Sequence, residues 1–130
     1  MTYQDTALVL AGGIGLSVAL VHGVLMQRHM VRPIGRLLAA HSRTSPALIT
    51  LVPLLLHYST ISWFLGGAVL IAAGLWLEPD SRLAIAALIG ALYLYGAIGN
   101  LWATRGRHPG WMLLAAAVVL IAFSVGSSSA

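Results

Sequence analysis

Histidine, asparagine and arginine side chains supply most of the chemistry that this sequence offers. His22 and His57 stand inside apolar stretches, and His108 follows the end of a third stretch. If these stretches are neighbouring helices, the three imidazoles could bind a transition metal or ligate a haem iron. Arg105 and Arg107, next to His108, could instead help to hold a lipid head group or a quinone carbonyl.

Other polar residues are expected at the same depth in the membrane as these histidines. Gln27 follows His22 by about one helical turn, and Thr60 lies on the face of His57 at i+3. The predicted ligand-binding set is His22, Gln27, His57, Thr60, Asn100, Thr104, Arg105, Arg107, His108 and Trp111, with His22, His57 and His108 as the metal ligands. The alternative is that these side chains only hydrogen-bond neighbouring helices, as polar groups in membrane helices usually do.

Acidic residues and cysteines limit the chemistry further. The three acidic residues, Asp5, Glu78 and Asp80, all lie at the ends of apolar runs, and the chain has no cysteine. This argues against proton coupling through an embedded carboxylate and excludes paired-carboxylate acid–base catalysis and thiol chemistry. An enzyme is therefore less favoured than a binding protein.

The elements that must position these residues are membrane-spanning helices. Of the 130 residues, 59% are hydrophobic and 8% are charged, whereas soluble domains carry about 25% charged residues. About 20 residues at 1.5 Å each cross a hydrocarbon core of about 30 Å. The sequence predicts an all-α integral membrane four-helix bundle forming one transmembrane domain over 1–130, with spans at about 7–26, 47–77, 83–103 and 109–126.

Arginine placement predicts the orientation. Six of the seven arginines lie in the first and third links between spans, which share one side of the membrane. The positive-inside rule puts that side in the cytoplasm, so both termini face the non-cytoplasmic side. The absence of lysine together with many Ala, Leu, Gly and Arg residues indicates a bacterial inner membrane protein. Arginines between apolar runs indicate lipid as the partner and exclude nucleic acid.

The first link carries a helical pattern of its own. After Pro33, Ile34, Leu37, Leu38 and His41 follow i, i+3, i+4, i+7 spacing. This spacing predicts a short amphipathic helix over about 33–42 that lies in the cytoplasmic interface. An irregular loop is the alternative.

Small residues predict where helices approach closely. The first span has Ala11, Gly15, Ala19 and Gly23 at four-residue intervals, which favours a tight helix–helix contact along that face. The contact is expected within the bundle; the alternative is docking to a second copy or to a larger membrane complex. Among the tryptophans, Trp63 lies deeper than the interfacial positions and is expected to be a packing residue.

Three segments together resemble a group of small bacterial four-span membrane proteins of unassigned activity. They begin at His22 (HGVLMQR), Leu56 (LHYSTISW) and Thr104 (TRGRHPGW). The resemblance implies the four-span fold and the positions of a site, but no activity. Met26-Gln27 stands where the group has Gly-Glu, so no carboxylate-dependent role is implied there.

The function that these observations favour is binding of a small ligand, a metal or a haem near the cytoplasmic leaflet. Two other functions stay open. One is a structural or assembly subunit of a larger membrane complex, and the other is a small oligomeric transporter or channel.

Overall fold

A computed structural model describes residues 2–126, and this part of the chain is helical without a strand. The all-α prediction is therefore confirmed. Each predicted span overlaps one helix, and three of these helices are long. The elements are α1 (Tyr3–Met26), a π-helical segment (Gln27–Val31), α2 (Arg32–Ala40), α3 (Pro46–Trp76), α4 (Pro79–Thr104) and α5 (Gly110–Gly126).

Local capping chemistry fixes where these helices begin and end. Thr2 and Asp5 form a capping box at the start of α1, and the Ser45 hydroxyl accepts a hydrogen bond from the Leu48 amide at the start of α3. α4 ends where Arg105 adopts a left-handed conformation with φ of 51°. Gly106 follows at φ of 76°, a value that glycine adopts without strain.

Three of the described helices are long and apolar enough to cross a membrane. They are the continuous helix Tyr3–Ala40, α3 and α4, and α5 is a shorter apolar helix of 17 residues. Many large apolar side chains point outward, including Leu65 and Leu88. An apolar exterior of this kind is typical of a membrane protein, because lipid replaces water around it.

α1, α3, α4 and α5 form a ring in which each helix contacts two neighbours. α1 packs against α3 and α5, and α4 packs against the same two helices. Successive helices run antiparallel, because the start of α1 lies at the end of α3, where Gly74 meets the Asp5 backbone. The interior is filled by Leu70, Tyr93 and Leu114, which are fully buried.

The closest helix approach is between Gly12 of α1 and Gly67 of α3. A Cβ on Gly67 would lie 2.6 Å from the Gly12 carbonyl oxygen, so the two backbones touch. The predicted stripe faces the interior, where Ala11, Gly15 and Ala19 are buried and half-buried Gly23 meets Thr60 of α3. The chain's own helices therefore occupy this face, as the prediction of a contact within the bundle expects.

α2 differs from the isolated interfacial helix that the sequence predicts. It continues from α1 through the π-helical segment, and it ends at Ala40, so His41 lies outside the helix. The wide π turn comes directly before Pro33. A proline ring clashes with the carbonyl four residues earlier, and a wider turn accommodates the ring without ending the helix.

Candidate ligand-binding cleft

A cleft of about 250 Å³ opens between α3 and α4 in the half of the bundle near the α4–α5 turn. The residues that give it its chemistry are His22, Ser59, Ser62, Trp63, Gly99 and Asn100. Tyr58 and Tyr95 stand at its sides and are 70% and 79% exposed. The cleft therefore opens toward the surroundings of the bundle, where lipid would lie.

His22 forms the floor of the cleft from α1. Its Nε2 is 3.2 Å from the Ser59 hydroxyl oxygen, and the two groups share one hydrogen bond whose direction depends on the histidine tautomer. The imidazole also lies against the Trp63 ring, with centroids 4.7 Å apart and planes inclined at 59°. These two contacts fix the orientation of the histidine ring.

Trp63 supplies an unused hydrogen-bond donor. The residue is only 5% exposed, and its backbone carbonyl accepts a hydrogen bond of 3.0 Å from the Tyr93 hydroxyl. The indole lies against Gly96, where a Cβ would come within 2.7 Å of the ring. Within residues 2–126 no acceptor pairs with the indole Nε1–H, and this nitrogen is not fully buried, so it remains accessible from the cleft.

Gly99 and Asn100 form the α4 side of the cleft. No atom lies within 4 Å of the position that a Cβ on Gly99 would take, so this glycine leaves open space. The Asn100 amide nitrogen donates to the Gly96 carbonyl at 2.9 Å. Its Oδ1 has no partner in the described part of the chain and is free to accept a hydrogen bond.

The other predicted polar residues form separate pairs. His57 Nε2 is 2.9 Å from Gln27 Oε1, which ties α3 to the π-helical segment. Thr60 packs against Gly23, and its hydroxyl is buried without a partner in the described residues. It borders a different, apolar crevice of about 330 Å³ between α1 and α3. Thr104 donates its hydroxyl to the Asn100 carbonyl at 2.6 Å.

The predicted residues after α4 lie in or beside the α4–α5 turn and do not line the cleft. His108 Nδ1 accepts a hydrogen bond from the Gly110 amide at 3.1 Å, and Trp111 Nε1 donates to the Gly106 carbonyl at 3.3 Å. Arg105 and Arg107 are exposed at the end of the bundle. Of the ten predicted site residues, the structure brings His22 and Asn100 together around the cleft.

The three histidines predicted as metal ligands do not meet in the structure. Among residues 2–126 there is no group of three His, Asp or Glu side chains that could hold a metal ion. Each of the three imidazoles is hydrogen-bonded to a different neighbour. Helical spacing predicts similar depths for the three histidines but does not determine the directions of their rings.

An ion pair at the opposite end of the bundle was missed by sequence reasoning. Asp5 at the start of α1 pairs with Arg82 in the first turn of α4, and the Arg82 guanidinium also donates to the Leu77 carbonyl. A crevice of about 410 Å³ lies beside it. Two opposite charges 77 residues apart carry no local signal that they meet, so only the fold could reveal the pair.

Comparison of the chain with family models, curated proteins and solved structures gave no match. The resemblance to small four-span membrane proteins therefore stays a prediction. Function is inferred from the geometry of the cleft.

Proposed function

We propose that this is a bacterial inner-membrane protein, with both termini on the non-cytoplasmic side, that binds a small membrane-soluble ligand in the cleft. The arginine bias supports the orientation, since six of seven arginines lie in the two links at the cleft end. The opening of the cleft between α3 and α4 supports entry of the ligand from the bilayer.

The polar groups of the cleft favour a ring compound with a carbonyl oxygen. Trp63 offers a donor, Asn100 offers an acceptor, and apolar and aromatic surfaces surround both. Ligand sites usually combine apolar walls with a few well-placed polar groups, in cavities of about 300–1,000 Å³. A cavity of about 250 Å³ fits the ring of such a molecule, while an apolar tail would stay in lipid. A quinone head group supplies the carbonyl for the Trp63 N–H, and its reduced quinol form supplies a hydroxyl that can donate to Asn100.

The observation that carries this proposal is the unpartnered indole N–H of Trp63. The indole nitrogen is not fully buried, so its N–H can be reached from the cleft. A ligand carbonyl could accept this hydrogen bond, and polar groups placed to pair with a ligand are what give a site its selectivity. Binding rather than turnover is favoured, because neither a carboxylate nor a thiol is near the cleft.

Tryptophan fluorescence tests the proposal directly. Replacing Trp76, Trp102 and Trp111 by Phe leaves Trp63 as the sole tryptophan. In lipid nanodiscs, the ring quinone menadione should quench Trp63 fluorescence with saturation. Gly99→Leu should weaken this binding by about tenfold or more, since a loss of about 1.4 kcal/mol gives that factor.

Gly13→Leu is the matched control. Gly13 also has open space where a Cβ would stand, but it lies on α1 away from the cleft. Menadione should bind this variant as it binds the parent. Quenching that rises in proportion to menadione concentration, to the same extent in both leucine variants, would contradict the proposed site.

A further inference from the structure

The helices of the first hairpin extend beyond those of the second. Trp63 lies against Gly96, and α3 and α4 are antiparallel, so Leu54 is level with Arg105 at the end of α4. The start of α3, from Pro46 to Pro53, therefore continues past the bundle by about 12 Å, at 1.5 Å per residue. α2 packs beside it. We call residues 27–53 the arm.

Each helix of the arm contains a feature that weakens it, and the two features lie at the same level. The Gln27–His57 hydrogen bond sets the register, which places Val31, the last residue of the π-helical segment, level with Pro53 of α3. Internal prolines and π turns are the usual causes of helix bending. The arm is thus joined to the bundle through two weakened points side by side.

The surface of the arm combines positive charge with exposed leucines. Arg28, Arg32, Arg36 and Arg43 are all exposed, and none has an acidic partner in the described structure. No acidic residue occurs anywhere between Asp5 and Glu78. Leu37, Leu48 and Leu51 are 72%, 43% and 50% exposed.

We propose that the arm bends at these two points and lies on the cytoplasmic leaflet, with its arginines on anionic lipid head groups. This second proposal rests on the proposed membrane orientation and does not require ligand binding in the cleft. An upright arm would expose its leucines to water, whereas a lying arm inserts them into the interface. Two arms of like charge repel each other, which disfavours a second copy as the occupant.

Attraction to anionic lipid is strong enough to favour the lying arm over the upright arm. Each arginine near an anionic leaflet contributes about 1 kcal/mol, or about fivefold in the equilibrium between lying and upright arms. Arg32, Arg36 and Arg43 together should shift this equilibrium by roughly 100-fold. Added salt should weaken the effect, because it screens exposed charges.

A single label on the arm tests the proposal. The chain has no cysteine, so Ser42→Cys gives one attachment point at the tip of the arm for the fluorophore NBD. The labelled protein is placed in nanodiscs of phosphatidylcholine alone or mixed with phosphatidylglycerol. Nitroxide-bearing lipids should quench the label strongly only in the mixed nanodiscs.

Charge variants distinguish the effect of the arm arginines from the effect of the other arginines on the cytoplasmic side. Replacing Arg32, Arg36 and Arg43 by Gln should abolish the quenching, and replacing Arg105 and Arg107 by Gln should leave it unchanged. Pro53→Ala, which restores a regular helix, should reduce it. Equal quenching in both nanodiscs, none in either, or disulfide crosslinking of two copies of the unlabelled Ser42→Cys variant would overturn the proposal. Menadione binding in the same samples reports separately on the cleft.

Discussion

The glycines at the α1–α3 crossing and the glycine at the cleft differ in what stands beside them. At the crossing, a Cβ on Gly12 would lie 2.5 Å from the Gly67 carbonyl oxygen, and a Cβ on Gly67 would meet Gly12 equally closely. At the cleft, a Cβ on Gly99 would meet no atom within 4 Å. One group of glycines lets backbones touch, while Gly99 leaves a space unfilled.

This difference separates a structural half of the bundle from an adaptable half. Helix association in lipid depends on close van der Waals packing, so the crossing contributes to the stability of the bundle. The cleft end instead keeps polar groups and an open space, which a stable bundle does not require. Substitutions in the two regions should therefore have different consequences.

The largest change in the free energy of unfolding is expected for Gly67→Ala. Its new methyl group would clash with backbone atoms of Gly12 and Leu16, which can move only if the helices separate. Overpacking of this kind costs about 1–3 kcal/mol and occasionally more. The free energy of unfolding in mixed detergent micelles should fall by this amount. Gly99→Ala and Gly13→Ala should change the free energy of unfolding little. If all three variants lost the same free energy, the crossing and the cleft would not differ in their contribution to stability.

An intermediate effect is expected for Tyr93→Phe, because Tyr93 connects the two regions. Its hydroxyl lies over Gly15 of α1 and donates to the Trp63 carbonyl beside the cleft. Loss of this hydrogen bond should lower the free energy of unfolding by about 0.5–1.5 kcal/mol. Tyr95→Phe is the control, since Tyr95 is 79% exposed. A loss for Tyr95→Phe as large as that for Tyr93→Phe would show that the buried hydrogen bond is not the cause.

The smallest effect is expected at the cleft floor. A double-mutant cycle with His22→Ala and Ser59→Ala should give a coupling of about 0.6 kcal/mol, the average for hydrogen bonds between membrane helices. The cycle is measured by unfolding in the same micelles. A coupling of several kcal/mol would show that this pair stabilises the bundle as strongly as the crossing does.

Much of the secondary structure could be predicted from local patterns. Long apolar runs indicated the helices, and Ser45 before Pro46 correctly marked the start of α3. The pattern after Pro33 also indicated a helix, but not that α2 continues from α1. That continuity depends on a π turn that widens the backbone before a proline, and no residue spacing announces such a turn.

The sequence by itself determined which residues form helices and where along each helix a polar side chain stands, because apolar run length and helical rise are local properties of the chain. Only the tertiary structure decided the partners: His22 with Ser59 and Trp63, His57 with Gln27, and Asp5 with Arg82. Helix rotation and crossing determine these pairs. Both follow from packing between segments distant in sequence, as at Gly12 and Gly67, where contact between the two backbones sets the register of α1 against α3.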